Sequence, residues 1–273
     1  PESVPQEWHG RLMNWTVESR FDYPETGFGA TIYQKLNGDG SIDYVVAMQG
    51  TRGLNIQDWS GNLIFGWDKW SHVTVHGAPS DPNPDTDFFP HLLELASVNT
   101  IHFAGQSLGG ALAQYALVEY AERLRRQHQE IGSADFNPLK VTLTTFNGLG
   151  GIAGLERNRS NDSIELVADV DTAHFYVTND LVSRLGGGNL NGNGNEYLLD
   201  FRRTDDEGFV QVRSDNTPIA LSLSTAHKIE TGFYRGFNLA QSGAGNGFPM
   251  DFTYATQQSI NRLDVAGLAR TGT

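Results

Sequence analysis

The stretch Thr100-Ile101-His102-Phe103-Ala104-Gly105-Gln106-Ser107-Leu108-Gly109-Gly110-Ala111-Leu112-Ala113-Gln114 joins an apolar segment to an alanine- and leucine-rich one through a serine between small residues. The pattern predicts a strand, a tight turn at Ser107 and a helix from about Leu108. Glycines two residues before and after the serine suit a turn in which strand and helix approach closely. The serine is then either a nucleophile at the positive end of the helix or an ordinary helix N-cap.

Length and composition favour one globular domain. The chain has 273 residues, of which 38% are hydrophobic and 11% aromatic. We assign residues 1–273 to a single α/β domain, with about 238–273 as a peripheral tail or linker. No stretch approaches the roughly 20 apolar residues of a membrane span, so no integral membrane segment is expected.

Charge and cysteine content exclude several classes of partner. The formal net charge of −13 argues against nucleic acid and against membranes bound through anionic lipids. With no cysteine, the chain has neither a disulfide framework, a thiolate metal site nor a cysteine nucleophile. The acidic, cysteine-free composition suits a secreted bacterial protein, although many cytosolic proteins share it. The start at Pro1 without a leader suits a mature product or an excised segment.

Hydrophobic periodicity predicts strands that alternate with helices. The strands are 30–36, 42–48, one around Ile101, 141–146, 173–177, and a hairpin of 197–201 with 209–212. The helices are 88–96, 108 to about 129, and 161–167 within an otherwise loop-like 150–171, while residues 1–27 are assigned to a helix and an entry loop. This order predicts an α/β fold with a mainly parallel central sheet flanked by helices.

A nucleophilic serine needs a base and a carboxylate that orients the base. In α/β-hydrolase sheets the order along the chain is serine, acid, histidine, and Ser107, Asp180 and His227 occur in that order. Asp180 follows a predicted strand, and His227 is the one histidine of eight that lies beyond it. The alternatives are a solvated or helix-capping aspartate and a surface histidine.

The oxyanion hole needs two backbone N–H donors. One is expected from Leu108, directly after the serine, and the other from Thr51, in the Gln49-Gly50-Thr51 turn that ends the second strand. The alternative for Thr51 is a plain strand-ending turn.

Two further segments carry open interpretations. Leu54, Ile56, Trp59 and Leu63 line either one side of a mobile flap or the core. The Gly/Asn loop at 186–195 offers amide and carbonyl oxygens for a structural calcium ion, but it lacks regularly spaced carboxylates. A structural calcium ion in this loop stays an open alternative, and no cofactor is expected for the chemistry.

The chain resembles the class 3 lipases over roughly residues 29–235. Residues 105–113 are similar to the family's G-H-S-L-G-G-A-L-A block, residues 46–51 to its oxyanion strand, 75–77 to its V-H-x-G segment, and 179–185 to its N-D-x-V-P-R-L motif. The resemblance implies the triad Ser107, Asp180 and His227, oxyanion donors Thr51 and Leu108, and a lid near 54–63. Gln106, Gln49 and Ser183 depart from the family's usual His, Arg and Pro.

These features predict a serine carboxylester hydrolase, with triacylglycerol lipase as the favoured activity. Phospholipase A1 and short-chain or feruloyl esterase are the alternatives within the same chemistry. A catalytically silent lipid- or carbohydrate-binding module on the same fold is the alternative from another class. The expected partner is a lipid or ester substrate at a lipid–water interface, and the oligomeric state is left open.

Overall fold

In the part of the chain that the structure describes, seven strands form one sheet and lie side by side in their order along the chain. The computed structural model describes residues 14–23, 28–50, 87–95, 99–132, 135–177, 180, 182–184, 188–190 and 195–199. The strands are β1 Thr16–Tyr23, β2 Phe28–Leu36, β3 Ile42–Met48, β4 Thr100–Gln106, β5 Val141–Phe146, β6 Asp171–Val177 and β7 Asn195–Leu199. The helices are α1 Phe88–Leu95, α2 Leu108–Ile131, α3 Ile152–Asn158 and α4 Asn161–Glu165, with 3-10 turns at Pro138–Lys140 and Val182–Arg184.

The first three strands are antiparallel, and a turn at residues 37–41 joins β2 to β3. Gly40 has a φ of 87° there, which suits a residue without a side chain. The Asp39 carboxylate accepts hydrogen bonds from the Ser41 N–H at 2.9 Å and the Ser41 hydroxyl at 2.6 Å. This confirms the predicted hairpin, with β2 beginning slightly earlier than expected.

The strands from β3 to β7 are parallel, and one face of the sheet carries the core. Val46, Phe103 and Leu143 are adjacent in register on that face and are fully buried. Helix α2 packs over β3, β4 and β5, and α1 and α4 pack against α2. The parallel α/β sheet is therefore confirmed, and the carboxyl ends of β3 to β7 share one edge of it.

Helix α2 begins directly after Ser107, as the sequence predicts, and ends at Ile131, two residues beyond the predicted end at about 129, with Gly132 as its C-cap. The left-handed φ of 67° at Gly132 lets its N–H donate to the His128 carbonyl. The side chain of Glu119, which is 4% exposed, pairs with Arg123 at 2.6 Å and with Arg159, just beyond α3. No helix in the described ranges is long and apolar enough to cross a membrane.

The assignment of residues 1–27 to a helix and an entry loop is wrong for Thr16–Tyr23, which form β1. This strand pairs with β2 through a register shift between Val17 and Ser19. The Phe21 ring meets the Phe88 ring edge-on at a centroid distance of 5.3 Å. Pairing with the neighbouring β2 and packing on α1, which is remote in sequence, thus make the segment a strand.

The segment at 150–171 is more helical than predicted. The predicted helix at 161–167 is the shorter α4. Helix α3, whose Ile152 N–H donates to the Gly188 carbonyl at 3.1 Å, was not predicted. Strand β7 pairs in parallel with β6. The expected hairpin partner at 209–212 lies outside the described residues.

Candidate active site

Ser107 occupies the turn between β4 and α2 in a conformation rare for residues other than glycine. Its φ is 59° and its ψ is −129°, and its side chain makes no capping hydrogen bond to the helix. An ordinary N-cap has an extended backbone and a side chain that accepts a hydrogen bond from the first turn. Ser107 therefore stands at the N-cap position of α2 without capping it through its side chain, and its strained geometry is of the kind that collects at functional sites.

Steric contact explains the glycines around this serine. A side-chain carbon on Gly105 would overlap the carbonyl oxygen of Gly109, and one on Gly109 would overlap the carbonyl oxygen of Met48. On Gly110 it would lie 2.5 Å from the Cα of Gly148. These glycines are required for the close approach of β3, β4, α2 and the chain after β5.

Backbone hydrogen bonds hold the turn from the side of β5. The Ser107 N–H donates to the Phe146 carbonyl at 3.3 Å, and the Ser107 carbonyl accepts from the Leu149 N–H at 2.8 Å and the Gly110 N–H at 2.9 Å. The serine backbone is thus fixed to the end of the neighbouring strand as well as to its own helix.

Leu108, one of the two expected oxyanion donors, lies where β3 and α2 meet. Leu108 is the first residue of α2, so its N–H belongs to the group that has no acceptor within the helix. A side-chain carbon on Gly50 would lie 2.8 Å from the Gln106 carbonyl oxygen and 3.5 Å from the Cβ of Ser107. The turn after β3 therefore contacts the serine turn, although Thr51 itself lies outside the described residues.

Asp180 lies beyond the end of β6 and is 1% exposed. Its N–H donates to the Val177 carbonyl at 3.0 Å, and its carboxylate accepts from the Val182 N–H at 3.3 Å and the Ser183 N–H at 3.0 Å. The solvated-aspartate alternative is wrong. Capping of the 182–184 turn is real, yet a carboxylate with about four lone pairs can cap the turn and accept another hydrogen bond.

The four histidines in the described residues either lie far from Ser107 or have both ring nitrogens in other hydrogen bonds. His102 lies five residues earlier on β4, about 16 Å along the strand, with its Nδ1 2.7 Å from the Thr142 hydroxyl. His91 contacts Glu18 near the start of β1 at 2.9 Å, and His128 lies in the last turn of α2. None of these three is placed to take a proton from Ser107.

His174 is the fourth, and it is fully buried on β6. Its Nε2 lies 3.0 Å from the Leu190 carbonyl, so Nε2 carries the proton, and its Nδ1 accepts from the Thr145 hydroxyl at 2.8 Å. Burial lowers the pKa of His174 from 6.5 to about 4, although the Leu190 contact opposes this shift. Because both ring nitrogens of His174 are in hydrogen bonds to other groups, His174 has a structural role and is not the catalytic base.

A buried polar cluster that the sequence analysis missed joins α2 to the segment after Asp180. The Gln114 amide donates to the Leu149 carbonyl at 3.3 Å and the Asn189 amide oxygen at 2.8 Å, and it accepts from the Leu190 N–H at 2.7 Å. Asn189 in turn donates to the Tyr176 hydroxyl. A glutamine among the apolar residues of a helix is the only sequence signal for this cluster.

Several predicted site residues fall outside the described residues. They are the base His227 and the flap residues Leu54, Ile56, Trp59 and Leu63. Of the 186–195 loop, residues 188–190 and the first residue of β7 are described, and Asn189 is engaged in the buried cluster. The described residues contain no group of three or more histidines, aspartates or glutamates that could hold a metal ion.

The parallel sheet and the strand–serine–helix turn are those of the α/β-hydrolase fold. No protein-family model matches the sequence, and no curated protein matches it either. Similar solved structures include a lipase–propeptide complex from Rhizomucor miehei (14% identity, TM-score 0.44, covering 68% of this chain and 56% of that one), lipase II from Rhizopus niveus (12%, 0.44, 73% and 72%), and MDLA from Penicillium cyclopium (17%, 0.44, 84% and 79%).

The chain thus spans little more than half the length of the first of these structures. Identities of 12–17% and TM-scores of 0.44 define neither a family nor an activity for it. The resemblance to class 3 lipases remains a resemblance in motifs.

Proposed function

We propose that this protein is a serine carboxylester hydrolase, with Ser107 as its nucleophile. The observation that supports this best is the conformation of Ser107, with φ 59° and ψ −129°, between a parallel strand and the start of a helix. A serine that only connects the two elements gains nothing from this strain, which costs about 1–3 kcal/mol. A nucleophile gains a hydroxyl that projects away from the backbone and lies at the positive end of α2.

In the proposed reaction the Ser107 oxygen attacks the ester carbonyl while His227 takes the hydroxyl proton. Asp180 orients His227, and the N–H groups of Leu108 and Thr51 donate to the developing oxyanion. The alcohol leaves with the proton from His227, and a water molecule, activated by the same histidine, then releases the acid from the acyl-enzyme. No metal or cofactor takes part.

Covalent labelling tests the nucleophile. A fluorophosphonate probe should modify the folded wild-type protein at Ser107, and the label should disappear in Ser107→Ala and persist in Ser163→Ala. Ester hydrolysis by Ser107→Ala should fall by several orders of magnitude. An unlabelled Ser107 in folded protein, or full activity of Ser107→Ala, would refute the proposal and favour the non-catalytic binding module.

Long-chain acylglycerols are the proposed substrates. Trp59, Leu63, Phe65 and Trp67 give the sequence an apolar stretch suited to a lipid surface. Three substrates separate the possible activities: a triacylglycerol emulsion, phosphatidylcholine vesicles and a short p-nitrophenyl ester. The hydrolysis rate is measured for each at concentrations below and above the point at which the substrate forms an interface with water. A rate increase at the triacylglycerol interface supports a lipase with a lid, whereas saturation with monomeric ester supports an esterase.

The proposal includes secretion from a bacterial cell, based on the acidic, cysteine-free composition. Fractionation of the producing organism tests this. Activity confined to the cell interior would contradict it.

A further inference from the structure

Asn147 is the first residue after β5. Its side-chain oxygen takes the place of a backbone carbonyl as the hydrogen-bond acceptor for β6. Its φ is 44°, in the left-handed region, and it is fully buried. Its N–H donates to the Phe175 carbonyl at 2.8 Å, as in a regular parallel ladder. The ladder would next pair the Val177 N–H with the Asn147 carbonyl, but that N–H donates to the Asn147 side-chain oxygen at 2.8 Å. The side chain thus extends the pairing of β6 while the main chain leaves the sheet.

This contact links the serine turn to the segment of the acid. On one side, the Phe146 carbonyl accepts from the Ser107 N–H at 3.3 Å. On the other, the Val177 carbonyl accepts from the Asp180 N–H at 3.0 Å. Asn147 therefore lies in a short chain of hydrogen bonds that runs from Ser107 to Asp180 across the end of β5.

From this arrangement we infer that Asn147 is a positioning residue, which sets the distance between Ser107 and Asp180 by fixing the end of β6. The inference rests on the proposed function, since it assigns the orienting role to Asp180. Both the conformation and the acceptor matter: asparagine enters the left-handed region more readily than most residues, and glycine enters it without offering an acceptor. Asn147 does not touch the reacting atoms and acts through Val177 and Asp180.

Three variants separate these contributions. Asn147→Gly keeps the backbone conformation and removes the acceptor. Asn147→Asp keeps an oxygen at the same place. Thr142→Val is the matched control, because it removes one side-chain hydrogen bond, to His102 at 2.7 Å, at the opposite end of the same strand.

The experiment measures kcat, KM and the pH profile on a soluble short-chain p-nitrophenyl ester, at a temperature where every variant is fully folded. We expect kcat of Asn147→Gly to fall roughly ten- to a hundredfold with KM little changed, as for a misplaced catalytic group. The acid limb of kcat/KM should move to lower pH, because a carboxylate farther from the base stabilises its protonated form less. Asn147→Asp should recover much of kcat, and Thr142→Val should resemble wild type.

Fluorophosphonate labelling of Ser107 distinguishes failure of the positioning role of Asn147 from failure of the proposed function. If wild type is labelled and Asn147→Gly keeps wild-type kcat and pH profile, the positioning role is refuted while the proposed function stands. If Thr142→Val loses kcat equally, the effect is one of general stability and the positioning role is also refuted. If Ser107 of the wild type is not labelled, the proposed function fails and this inference fails with it.

Discussion

Gly105 and Gly109 touch across the Ser107 turn, and a side-chain carbon on Gly105 would overlap the carbonyl oxygen of Gly109. The colliding atoms belong to the backbone, so no rotamer change can relieve the overlap. The angles of Ser107 therefore depend on hydrogen atoms at both flanking positions. The two glycines bracket the serine because the turn cannot close without them.

The first prediction is that Gly105→Ala lowers the free energy of unfolding by about 2 kcal/mol or more, as expected for an overpacked site. Gly38→Ala is the matched control, because its added carbon meets nothing within 4 Å. Urea unfolding of both variants measures the difference, and labelling of Ser107 reports whether the turn survives. Equal stability of the two variants would contradict the steric argument.

The second prediction concerns strain at Ser107. Ser107→Gly and Ser107→Ala should both be inactive, but the glycine variant should be the more stable by about 1 kcal/mol, since glycine adopts a φ of 59° without strain. The unfolded state of the glycine variant is more flexible, which reduces the difference. Thermal unfolding with calorimetry measures it. A more stable alanine variant would show that the turn is relaxed.

The third prediction is a pH dependence of stability through His174. Its folded pKa of about 4 is lower than the ordinary 6.5, so its contribution is fully present above pH 6.5 and is lost as the pH falls towards 4. Between pH 7 and pH 5 the wild type should lose about 2 kcal/mol through this group. His174→Gln should remove that part of the loss, and the exposed-site variant His128→Gln should retain it. Urea unfolding at the two pH values measures these losses. If wild type and His174→Gln lost equal stability, His174 would not be the group responsible.

The fourth prediction tests the buried cluster around Gln114. Gln114→Leu should cost about 2 kcal/mol, because it removes both the acceptor of the Leu190 N–H and a donor to the Leu149 carbonyl. Gln129→Leu changes an exposed position on the same helix and should stay within about 0.5 kcal/mol of wild type. Hydrogen exchange at Leu190 should also accelerate only in the first variant. If the Leu190 amide of Gln114→Leu still exchanged as slowly as in wild type, the cluster would not be what holds residues 188–190 against α2.

The sequence predicts the central elements well because their patterns are local. Strands β3 and β5 have the predicted bounds, and α2 begins at the predicted Leu108. Asp180 lies beyond the carboxyl end of β6, as predicted, at the same edge of the sheet as Ser107, and the catalytic roles of both residues stay predictions. Whether His227 and Thr51 join them stays a prediction.

The elements that were missed depend on contacts distant in sequence. Strand β1 mixes aromatic and charged residues and is identified only by β2 and by Phe88. Helix α3 follows a run of glycines that suggests a loop, and its first N–H is bonded to Gly188. The hydrogen bond from Val177 to the Asn147 side chain could not be predicted, because the dipeptide Asn-Gly also occurs in many simple turns at the ends of strands.

The order of the strands has a consequence for synthesis. Each strand from β2 to β7 pairs with the strand that precedes it in the chain. A chain that emerges from the ribosome with its N-terminus first therefore finds the pairing partner of every new strand already made. The sheet can grow by addition at one edge, in the order of translation, and the β5 partners of Ser107 are synthesised before the segment that carries Asp180.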